Sequence, residues 1–120
     1  MQVNVALPEI LRGMGPEAHN RHGRKAMWTL RIEHRVANYD AWKRAFDSDP
    51  VGRERSAVRR YRVLRLVDDA DYVMIDLDFD TSSQAEALLG AMRGVWAGPA
   101  LTMVSEPKAR IVEVAEAKEY

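Results

Sequence analysis

The chain has no cysteine in its 120 residues. That absence excludes disulfides, thiolate nucleophiles and Cys-ligated zinc. Long apolar runs are missing too: none approaches the roughly 20 residues that span a bilayer. Near the N-terminus, Pro8, Glu9, Arg12 and Gly13 break up the apolar stretch, so no secretory leader is expected. Charge of a single sign is also lacking. Eighteen basic residues cancel eighteen acidic ones, where a nucleic-acid binder carries a basic surplus. No Gly-rich phosphate cradle, nucleophile elbow or dinucleotide fingerprint occurs. Together these absences set an expectation of a cytoplasmic protein with no membrane or nucleic-acid partner and no cofactor.

What is present is a one-domain length with an ordinary globular apolar content of 47%. Residues 1–26 hold Pro8, Gly13, Gly15, Pro16 and Gly23, lack any clear period, and read as an extension or arm. From Met27 the pattern sharpens, and residues 27–115 read as the domain, with 116–120 a polar tail. Trp28 to Val36 alternates: Trp28, Leu30, Ile32, His34 and Val36 share one strand face, and Thr29, Arg31, Glu33 and Arg35 the other. Asn38 is a good N-cap for a helix whose Tyr39, Trp42 and Phe46 form one apolar stripe, stopped by Pro50. Arg59 to Val67 and Tyr72 to Phe79 read as a hairpin. A two-residue loop at Asp69-Ala70 places Leu66 opposite Val73, Leu64 opposite Ile75 and Arg62 opposite Leu77. Thr81 and Gln84 form a capping box for a second helix carrying Ala85, Leu88, Leu89, Met92 and Trp96. Gly94 or Gly98 ends it, Leu101 to Val104 is a short strand or helical turn, and Ala109 to Val114 is the last strand.

The order strand-helix-strand-strand-helix-strand predicts an α+β fold: ferredoxin-like βαββαβ, with a four-stranded antiparallel sheet and both helices on one face. The expected core face gathers Leu30, Ile32, Leu64, Leu66, Val73, Ile75, Leu77 and Phe79. The expected second face is mixed, with Tyr61, Val63, Tyr72 and Met74 beside Arg31, Glu33, Arg65 and Asp76. A face of that kind suits a homodimer in which two sheets enclose a cavity.

The run from His34 through Lys43, continuing to Phe46-Asp47, resembles the first strand-to-helix junction of dimeric α+β barrel proteins. The Asp69-Ala70-Asp71 turn and the Phe79-Asp80 helix entry are similar as well. These relatives are the small bacterial proteins described as cyclases or as antibiotic-biosynthesis-monooxygenase-like, and the resemblance spans about residues 27–115. It implies a homodimer with a pocket between sheet and helices in each subunit, open to a small aromatic or polyketide-like ligand. The oxygenating members rely on an Asn and a Trp in the pocket, and Asn38, the only asparagine of the domain, sits where a helix cap is needed.

The candidate catalytic residue is His34, a general base near the pocket mouth, or else a strand-end histidine packed over a helix. Arg31, Glu33, Arg65 and Asp76 are candidate ligand-binding residues that could orient an anion, or else cross-strand charge pairs. Tyr61 and Tyr72 could stack on an aromatic ligand, or fill a dimer interface. Trp42 and Trp96 lie on helical stripes and read as core. His19 and His22 have a ligand-like spacing without further ligands, and Asp76, Asp78 and Asp80 are explained better by Arg59, Arg60, Arg62 and Arg65 than by a metal. Three functions follow: a ligand-binding barrel with minor cyclase- or monooxygenase-like activity, a non-catalytic or stress-associated binding module, and a pure assembly domain with an exchanged arm.

Overall fold

Six elements order the chain: β1 (Trp28–Val36), α1 (Tyr39–Asp47), β2 (Arg60–Leu66), β3 (Asp69–Phe79), α2 (Ser82–Ala97) and β4 (Val104–Glu113). They come from a computed structural model that describes residues 27–98, 100 and 102–120. The expected arm and its His19-His22 pair lie outside the described residues. The strands form a single antiparallel sheet in the order β2-β3-β1-β4. This is the ferredoxin-like βαββαβ arrangement, as expected.

The helix starts are chemically explicit. Asn38 Oδ1 accepts from the Ala41 N–H at 2.8 Å, satisfying a donor that the first turn leaves unpaired. At α2 the Gln84 N–H donates to Thr81 Oγ1 and the Thr81 N–H donates to Gln84 Oε1, both at 3.2 Å, which completes the capping box. Gly98, not Gly94, is the C-cap.

Both helices pack on the inward row of β1. Leu30, Ile32 and Val36 are buried with Val73, Ile75, Leu77 and Phe79 of β3, against Trp42 of α1 and Ala85, Leu88 and Leu89 of α2. Burying each large side chain of this kind is worth about 1.5–3 kcal/mol, which is why alternation in the two central strands dictates the layer.

The hairpin departs from expectation by one residue. Leu66 pairs with Asp69, so Val67-Asp68 makes the turn, and a bulge follows. Beyond the bulge Arg65 pairs with Val73, Val63 with Ile75, Tyr61 with Leu77, Arg62 with Asp76 and Arg60 with Asp78. Consequently Tyr61, Val63 and Arg65 lie on the helix side, and Leu64 and Leu66 leave the core face, Leu66 being 39% exposed. The physical reason is charge. The observed register sets Arg62 and Arg60 across from Asp76 and Asp78, whereas the expected one turns Arg62 inward against Leu77.

The last strand is longer than expected, because it begins at Val104. It is also bulged. Glu33 pairs with Lys108 and Arg35 with Ser105, so Glu106 and Pro107 together oppose the single residue His34. Glu106 takes φ 52°, and Pro107, which has no N–H to give, sits where the ladder is already interrupted.

Candidate functional site

The alternation of β1 aims His34 at the helices, and it is the only polar side chain in the row of Trp28, Leu30, Ile32 and Val36. It is 2% exposed. A cavity of about 80 Å³ lies beside it, between the sheet and the helices. Ile32, His34, Ile75 and Leu77 make the sheet wall, while Trp42 and Phe46 of α1 and Met92 and Trp96 of α2 close over them. His34 is therefore a buried wall of the cavity and does not stand at its mouth. The i, i+3, i+7 stripe that makes α1 amphipathic also lays out a continuous aromatic path. His34 meets Trp42 edge-on with centroids 5.8 Å apart, Trp42 stacks on Phe46 at 5.1 Å, and Phe46 meets Tyr61 edge-on at 5.2 Å.

Burial pushes the His34 imidazole below its ordinary value of 6.5, since the charged form loses its hydration. The neighbouring backbone of His34 and Arg35 pulls the other way without offsetting it. The ring is therefore neutral at neutral pH. Its Nδ1 is buried and has no hydrogen-bond partner among the described residues. An orphan of this kind costs about 1–3 kcal/mol, and here it belongs to a residue that lines a cavity.

Facing the same cavity is Arg53, from the segment between α1 and β2. That segment folds tightly: Asp49 has φ 59°, Gly52 φ 67° and Ala57 φ 74°. The Asp49 side chain accepts from the Arg53 N–H at 2.8 Å. The Arg53 guanidinium lies over the Phe46 ring at 4.0 Å and the Tyr61 ring at 4.8 Å, and donates to the Phe46 carbonyl at 2.9 Å. Periodicity reads this stretch as polar loop, so Arg53 escapes a sequence reading. The signal that could have exposed it is the pair Asp49 and Gly52, residues that favour positive φ and fold a loop back on itself.

Four of the expected ligand-binding residues meet on the opposite face of the sheet. Arg31 grips Asp76 with two hydrogen bonds of 2.8 Å, and Arg62 adds a third at 3.1 Å. Tyr72 donates to Glu33 at 2.7 Å. Arg60 and Thr29 share Asp78, at 3.0 and 2.7 Å. The Arg31 hydrogen bond, opposed by desolvation and helped by Arg62, holds the Asp76 carboxyl below the usual carboxylate range. Hydrogen bonding to Glu33 pushes the Tyr72 phenol up. Arg31, Glu33, Tyr72 and Asp76 thus form a mutually satisfied charge ladder on the far side of the sheet from His34. Arg65 and Tyr61 do not join it. Arg65 lies over the Tyr39 ring at 3.8 Å and donates to the Ala70 carbonyl, and Tyr61 packs on Phe46. Among the described residues no group of His, Asp or Glu is placed to hold a metal ion. Asp76 and Asp78 are taken up by arginines instead, as Asp80 is by Arg59 at 3.6 Å.

No family model matches the chain, and no curated protein matches it. Among solved structures, a protein from Shewanella oneidensis superimposes with a TM-score of 0.60 at 13% identity, over 75% of this chain and 92% of that one. A protein of unknown function from Nitrosomonas europaea gives a TM-score of 0.60 at 16% identity, over 82% of this chain and 98% of the other. Likeness at these identities shows the fold alone: a small α+β domain with a four-stranded antiparallel sheet. No described helix is long and apolar enough to cross a membrane.

Proposed function

We propose that the protein binds a small, flat, largely apolar organic molecule in the cavity between sheet and helices, with His34 accepting a proton or hydrogen bond from its polar substituent. The observation that carries this reading is the buried His34, its Nδ1 orphaned, in a cavity lining that among the described residues is apolar and aromatic apart from Arg53. A neutral imidazole is the free-base form, ready to take a proton from a phenol, an enol or a carbon acid. Burial disfavours an isolated imidazolium, so transfer becomes favourable only when the new anion stays beside it as an ion pair. That coupling confines the chemistry to a bound substrate. Oxygenation finds less support. Asn38 spends its side chain on the Ala41 cap and does not line the cavity, whereas Trp42 and Trp96 do.

The same reading includes a homodimer formed through the outer sheet face. Its support is the one-sided packing of the two helices, which leaves Leu64, Tyr72, Met74 and Val112 half-buried among the charge pairs with no described element over them.

Titration of single-ring phenols, followed by Trp42 and Trp96 fluorescence and by melting temperature, tests the binding reading. Saturable quenching in the wild type that is lost in His34→Phe is expected. Unchanged binding in that variant would remove His34 from the site, and no binding by any phenol would return the protein to an assembly role.

A further inference from the structure

Building on that reading of the cavity, we infer that its ligand is a single-ring aromatic carboxylate, with Arg53 as the residue that reads the carboxylate. Among the described residues Arg53 is the only charged side chain lining the cavity, and no acidic one lines it. Its side chain is 14% exposed. A guanidinium carries five N–H donors. The hydrogen bond from Nη1 to the Phe46 carbonyl is the only one it makes with normal geometry among the described residues. The nearest carboxylate oxygen, on Asp49, stands 3.6 Å from Nη1, an ion pair that shares the charge but lies beyond hydrogen-bonding range and takes up none of the donors. The fork is thus held with most of its donors unspent. Stacking on Phe46 and Tyr61 fixes its plane, and the Asp49 turn fixes its backbone, so the ordering of the fork is done before a ligand arrives.

Charge and size narrow the class. One fork that already shares its charge with Asp49, and no second cation, suits a singly charged carboxylate better than a doubly charged phosphate. The 80 Å³ of free space is less than the ~150 Å³ of an engineered protein cavity that takes up benzene. Met92 and Met103 of the lining are unbranched and half-buried, so they can yield by about one ring. Fused-ring compounds would have to displace Trp42 or Trp96 from packed positions. A ring hydroxyl pointing away from the carboxylate would be the group presented to the His34 side of the cavity.

The test is isothermal titration with 4-hydroxybenzoate, its neutral counterpart 4-hydroxybenzamide, and 6-hydroxy-2-naphthoate, against wild type, Arg53→Gln and Arg53→Lys. The wild type should prefer the benzoate over the amide by about tenfold or more. Arg53→Gln should erase that preference while leaving amide binding in place, Arg53→Lys should restore part of it, and the naphthoate should bind more weakly than the benzoate. A purely structural arginine would weaken both ligands alike and leave their ratio unchanged. Equal wild-type affinity for acid and amide, or a preference that survives Arg53→Gln, overturns the assignment of Arg53 and leaves the cavity reading standing. Tighter binding of the naphthoate overturns the single-ring limit. If none of the three compounds binds, the cavity reading itself fails and this inference goes with it.

Discussion

His34 combines burial, neutrality and an orphaned nitrogen, and each has a measurable consequence. The native ring resists protonation, so as pH falls the unfolded chain takes up a proton first. This contribution to stability is complete above the ordinary histidine value of about 6.5 and is lost as pH drops from there toward the depressed folded value. Urea denaturation across that window should show a shallower slope in His34→Phe than in wild type. The other two histidines, His19 and His22, are common to both chains and cancel. The same variant removes an unsatisfied polar atom, so it should be as stable as wild type or up to about 1–3 kcal/mol more stable, although it binds nothing. A loss of stability comparable to a core truncation would mean that the ring is simply packing. At Asp76 the sign is likewise set by a depressed folded value. Its ion pairs stabilise the fold above about pH 3.9 and lose that effect as pH falls through the folded value. Asp76→Asn should cost about 1–3 kcal/mol at neutral pH, a modest figure because Arg31 and Arg62 are themselves largely exposed, and should blunt acid denaturation.

Among the elements, α1 is the most legible and also the most consequential for the site. Asn38, Tyr39, Trp42 and Phe46 announce a cap and a stripe, and the structure has both. Asn38→Ala should lower stability by about 0.5–2 kcal/mol in chemical denaturation. The hairpin teaches the opposite lesson. In β2 each alternating row mixes apolar and charged residues: Tyr61, Val63 and Arg65 in one, Arg60, Arg62, Leu64 and Leu66 in the other. Period two therefore cannot say which row faces the helices, and β2 is an edge strand, where burial enforces the choice weakly. Arginines opposite aspartates and a tyrosine against Phe46 decide it. The segment before β2 carries a strain that can be relieved. Ala57 sits at φ 74°, where a Cβ is disfavoured. Ala57→Gly should raise stability by about 0.5–1 kcal/mol, read as a higher melting temperature. A decrease would show that the methyl group packs usefully.

Over the whole molecule, the two helices cover one side of the sheet and the charge ladder occupies the other. The residues expected to form one site therefore form two surfaces, back to back. If the outer face carries the homodimer, native mass spectrometry should give twice the chain mass, and Met74→Asp, which sets a new negative charge beside Glu33, should shift the distribution toward monomer with little change in melting. A monomeric wild type would leave the charge ladder as a solvated face.

Sequence alone determined the element order, the inward rows of β1 and β3, the helix caps and the helical stripes. Each of these rests on a local period or on a side chain bonding within three residues of itself. The tertiary structure decided what depends on pairing between distant segments: the register of β2, the side on which Tyr61 and Arg65 fall, the bulge opposite His34, and the recruitment of Arg53 from a polar loop to the cavity. Those outcomes turn on cross-strand charge, aromatic stacking and backbone turns, which act between residues that only folding brings together.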